Sequence, residues 1–180
     1  MNTEERKYRF SEIMSAVSML PEVDMESDDT DDIENAGDWV LPNLTKGLSD
    51  KKLVNAILCQ AHREKDEFKF KLLALLTNSA MRSMNETDDD EKPSKDDIYA
   101  LSISANILWG DGQAKALYGL LGMIGSLTAR YEMKLPDLAT AFLRPNSGIE
   151  QFGKLDPFAL LEGEISSDDV KEIMNQDDGE

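Results

Sequence analysis

Apolar residues recur at helical spacing through most of this chain, and nowhere does the pattern alternate as a half-buried strand requires. Between Arg6 and Leu20, the residues Phe10, Ile13, Met14 and Val17 fall on one face before Pro21, which predicts an amphipathic N-terminal helix within residues 1–21. Residues 22–38 hold nine acids, no base and few large apolar side chains. Burial there cannot offset the roughly 1–2 kcal/mol per residue lost on ordering the backbone, so this tract is expected to be a disordered linker. Trp39, Val40, Leu41, Leu44 and Leu48 follow as an apolar strap, punctuated by Pro42 and Gly47 and expected to lie across the core.

Ser49 is placed to cap a helix whose stripe is Leu53, Ala56, Ile57 and Ala61, widened by Val54 and Leu58 and ending near Glu64. Residues 66–84 carry Phe70, Leu72, Leu73, Leu75, Leu76, Ala80 and Met84 with neither Gly nor Pro, either as a continuation of that helix or as a second one. A charged loop closed by Pro93 leads to Ser94 and Asp97, the spacing of a capping box, and to a third helix bearing Ile98, Leu101, Ala105 and Leu108. Beyond the Gly110-Asp111-Gly112 turn, residues 113–131 are apolar nearly all round, which predicts a helix at the centre of a bundle. Pro136 and Asp137 suit the start of a short fifth helix ending near Leu143. Residues 146–180 read as an acidic C-terminal arm, with one short helix containing Val170, Ile173 and Met174. The fold class expected is therefore all-α: a small bundle of about five helices, with its core domain in residues 39–145, an amphipathic N-terminal helix and flexible acidic arms.

Charge sharpens this division. The net charge of −17 comes almost wholly from the flanks, because residues 1–38 hold twelve acids against Arg6, Lys7 and Arg9, and residues 156–180 hold nine against Lys171. Residues 39–155 balance fifteen acids with fifteen bases. Such acidity disfavours direct binding to nucleic acid or to an anionic membrane surface and favours a protein partner with a basic surface. The longest uncharged stretches, 98–110 and 116–129, are shorter than a membrane span. One cysteine excludes an intrachain disulfide, and the opening residues carry no secretory pattern, so the expected compartment is the cytoplasm.

Candidate chemistry is sparse. Cys59 and His62 lie three apart on one helix, but no third orienting residue is legible and a zinc site needs more ligands than one Cys and one His provide. The expectation is a buried thiol and a surface imidazole. Asp28–Ile33 puts Ile where a calcium loop turns on Gly, so the acidic runs do not make an EF-hand. No cofactor, metal or catalytic residue is expected. Gly119, Gly122 and Gly125 recur every three residues inside the most apolar helix, where each costs about 1 kcal/mol against Ala. The expectation is a close-packed neighbouring helix, with a ligand groove or a homo-oligomer seam as the alternatives.

Two apolar islands beside acids are candidate docking elements: Trp39, Val40 and Leu41, and Phe158, Leu160 and Leu161. For the first, covering the core is the favoured role and docking the alternative. Asp156-Pro157-Phe158 resembles an adaptor-binding peptide motif, though a tripeptide recurs by chance too easily to assign one. The function expected is a non-enzymatic, adaptor-like interaction protein. The alternatives are an acidic DNA mimic of the antirestriction kind and an assembly chaperone.

Overall fold

A computed structural model of the chain describes residues 1–22, 43–86, 91–110, 114–133 and 149–174. The described residues form eight helices and no strand: α1 (Thr3–Met19), α2 (Lys51–Arg63), α3 (Asp66–Glu86), α4 (Lys95–Gly110), α5 (Ala114–Arg130), α6 (Ile149–Gly153), α7 (Pro157–Glu162) and α8 (Ser167–Met174). The all-α expectation therefore holds for the described residues. The tract 23–38, the residues Trp39, Val40 and Leu41 and the expected helix 136–143 lie outside them.

The core is built around α2, whose Leu53, Val54, Ala56, Ile57, Leu58, Cys59 and Ala61 are all buried. Thirteen residues make a rod only about 20 Å long, yet α1, α3, α4, α6, α7 and α8 all pack on it. Asp50, rather than Ser49, caps it, accepting from the backbone N–H groups of Lys52 and Leu53 at 3.0 and 3.2 Å. The helix ends at Glu64, whose extended backbone separates it from α3, so the two segments are distinct helices.

α4 forms the second buried rod, with every residue from Ala100 to Ile107 inside the protein. It runs antiparallel to α3: Ser83 Oγ donates to Asp97 Oδ2 at 3.0 Å, and Thr77 Oγ1 to Ser104 Oγ at 3.1 Å. Ser94 caps α4: the Asp97 N–H donates to Ser94 Oγ at 3.1 Å, and that hydroxyl, in place of the backbone N–H of a full capping box, donates to Asp97 Oδ2 at 2.8 Å. On α3, Ser79 Oγ is buried without a hydrogen-bond partner.

Two expectations about placement need correction. α5 is a peripheral helix whose main neighbour is α4, and it buries one stripe of Leu117, Leu120, Ile124 and Thr128. Around that stripe Leu121, Met123 and Leu127 are half-buried, while Gly119, Gly122, Gly125 and Tyr118 are exposed, so the uncharged outer face that suggested a central helix is made largely of glycine. The C-terminal region through residue 174 is also not a free arm. Phe152, Pro157, Leu160, Leu161 and Val170 are buried, and α6, α7 and α8 all pack on α2. Asp156 caps α7, Gly163 ends it in the left-handed region at φ 80°, and Ser166 with Asp169 makes a reciprocal cap for α8. Its acids are caps and solvent-facing groups on helices that also contribute to the core.

The turn spanning residues 43–50 joins these parts. It is a run of tight turns, with Asn43 and Gly47 both at positive φ, 61° and 89°. Leu44 and Leu48 point into the core. A Cβ on Gly47 would lie 3.1 Å from the Met1 side chain, so this position combines a left-handed backbone with a close neighbour. From α4, Asp96 accepts from the backbone N–H groups of Gly47 and Ser49 at 2.9 and 2.8 Å, and buried Asp97 accepts from Thr45 Oγ1 at 2.8 Å.

The buried Asp97 carboxylate thus accepts from three hydroxyls, those of buried Thr45, half-buried Ser83 and exposed Ser94, while Ser79 contributes a buried hydroxyl with no partner. In urea unfolding, Asp97→Ala is expected to cost about 2–4 kcal/mol by orphaning Thr45, Ser83 and Ser94. Ser79→Ala is expected to be neutral or stabilising by up to about 1 kcal/mol, since it removes a polar atom that gains nothing by being buried.

Candidate functional site

The basic residues of the N-terminal flank lie on the first three turns of α1, and each is engaged by the folded body. Asn2 and Glu5 cap this helix reciprocally, with the Glu5 N–H donating to Asn2 Oδ1 at 2.9 Å and the Asn2 N–H to Glu5 Oε2 at 2.8 Å. Phe10, Ile13, Ala16 and Val17 then face inward toward α2, α3 and α7. The ring of Phe10 meets that of Phe158 edge-on at 5.8 Å.

Polar side chains anchor α1 to the 43–50 turn and to α7. Arg6 Nε donates to both oxygens of Asp50, at 3.1 and 3.0 Å, so one carboxylate caps α2 and holds α1. Arg9 donates through Nε to the Lys46 carbonyl at 2.8 Å and through Nη2 to those of Asn43 and Leu44 at 2.9 and 2.7 Å; its Nη1 also pairs with Glu12. Lys7 Nζ lies 2.7 Å from Glu162 Oε1 on α7. That hydrogen bond raises the Lys7 ammonium above its ordinary value and lowers the Glu162 carboxyl below its own. The pair is half-exposed and screened by solvent, so it orients α1 more than it stabilises the fold.

These anchors were not legible as a set, because Arg6, Lys7 and Arg9 meet Asp50, Glu162 and three carbonyls from distant parts of the chain. The signal present in the sequence was their clustering, as the only three bases among the first 38 residues.

The sequence-derived candidates fare differently from one another. Leu160 and Leu161 are 1% and 0% exposed, so both are spent on the chain's own core and leave any docking surface. Phe158 stays 51% exposed. Asp156-Pro157-Phe158 is the capped first turn of α7, which withholds it from recognition as an extended peptide. Trp39, Val40 and Leu41 lie outside the described residues.

Gly119, Gly122 and Gly125 are exposed, and a Cβ on any of them would meet no described atom within 4 Å. The expected close-packed helix within the domain is therefore not found among the described residues. Close approach does occur at Gly153, where a Cβ would lie 3.2 Å from the His62 carbonyl oxygen as α6 crosses α2.

Cys59 is fully buried, its Sγ directed at the carbonyls of Phe152 and Leu155 at 3.4 and 3.3 Å. Desolvation pushes the thiol up to about 11, which leaves almost no thiolate at neutral pH. His62 is half-buried rather than on the surface: its Nε2 lies 2.9 Å from Asn106 Oδ1 and its ring meets Phe152 edge-on. Both residues lock α2 to its neighbours. No group of three potential metal-ligating His, Cys, Asp or Glu converges among the described residues, and no described helix is long and apolar enough to cross a membrane. Compared with known proteins, the chain matches no family model, no curated protein and no solved structure.

A thiol raised from 9.0 to about 11 holds about a hundredfold less thiolate at pH 8 than an unperturbed one. Cys59 should accordingly react with iodoacetamide at least a hundredfold more slowly in the folded protein than in urea. Equal rates in the two states would contradict the burial and hydrogen bonding described.

Proposed function

We propose that this chain is a non-enzymatic, adaptor-like interaction protein whose partner is a protein with a basic surface. The observation that carries the reading is the net charge of −17, held almost wholly in the flanks, which draws cationic proteins from a distance. The acidic flanks steer the encounter, and short apolar elements, with Phe158 the exposed one described and Trp39, Val40 and Leu41 the sequence candidates, supply contact area. No cofactor or metal enters this reading, and the working compartment is the cytoplasm.

One observation favours a second reading. Glu162, Glu164, Asp168, Asp169 and Glu172 are exposed on or between folded helices, and an acidic decoy for a DNA-binding protein needs carboxylates on such a surface. Direct binding to nucleic acid belongs to neither reading.

The test is affinity capture by the full chain from its host's lysate at about 50 mM and about 300 mM salt, where screening lengths differ more than twofold. The expected result is a discrete partner with a basic surface, retained at low salt, weakened at high salt and not displaced by duplex DNA. Displacement by DNA would favour the decoy. Capture of nothing specific, together with turnover of a defined substrate by the purified chain, would overturn both.

A further inference from the structure

We draw no further inference here: the strongest candidate, the exposed outer face of α5 at Tyr118, Gly119, Gly122 and Gly125, is a stripe of small residues beside one aromatic ring, and nothing in the structure shows what covers it.

Discussion

The structure depends on one short stretch of chain held from both sides. The turn at residues 43–50 presents its carbonyls to Arg9 of α1 and its N–H groups to Asp96 of α4, while Asp50 at its end caps α2 and receives Arg6. A turn with two positive-φ residues leaves backbone groups without helical partners, and these lie at the exposed to part-buried edge of the core. Here the pairing is done by charged side chains from two helices remote in sequence, so satisfying the turn also fixes where those helices lie. Leu44 and Leu48, pointing inward from the same turn, tie that polar arrangement to the apolar core.

This constraint explains where the bases of α1 and the acids beside the turn are used. The acids engaged at Asp50, Asp96 and Asp97 are structural, and two of them satisfy the turn. The carbonyls of the turn meet Arg9 of α1, and Asp50 and Glu162 meet Arg6 and Lys7, so all three bases of that helix are paired by the folded body. A carboxylate that caps a helix and also accepts an arginine offers that arginine a preorganised partner, which lowers the ordering cost of binding. The buried thiol of Cys59 and the half-buried ring of His62 belong to the same logic, as polar atoms used for holding elements together.

Much of the fold was legible in the sequence, for identifiable reasons. The stripe of Leu53, Ala56, Ile57 and Ala61, the capping spacing of Ser94 and Asp97, and the acids after Ser166 are local signals, and local geometry decides helices. Placement was not legible where it depends on partners far along the chain. Composition put α5 at the centre because glycine and alanine count as apolar, yet Gly119, Gly122 and Gly125 face outward. Net charge made the C-terminal region an arm, yet Leu160, Leu161 and Val170 carry it into the core while its acids point to solvent. Leu160 and Leu161 looked like docking residues for the same reason, since an apolar pair among acids reads identically whether it meets a partner or its own domain. The anchoring of α1 combines residues 6–9, 43–50 and 162, a convergence that only the folded backbone provides.

The central claim is that the 43–50 turn couples α1 to α4, and a double-mutant cycle between Arg9→Ala and Asp96→Ala tests it most directly. The two side chains bond different groups of one turn, carbonyls on one side and N–H groups on the other. If the turn is a single cooperative unit, either change alone loosens it for both helices, and the two losses in urea unfolding should fall short of additivity by at least about 0.5 kcal/mol. Strict additivity would contradict the account, because it would mean that each helix holds its own part of the turn independently of the other.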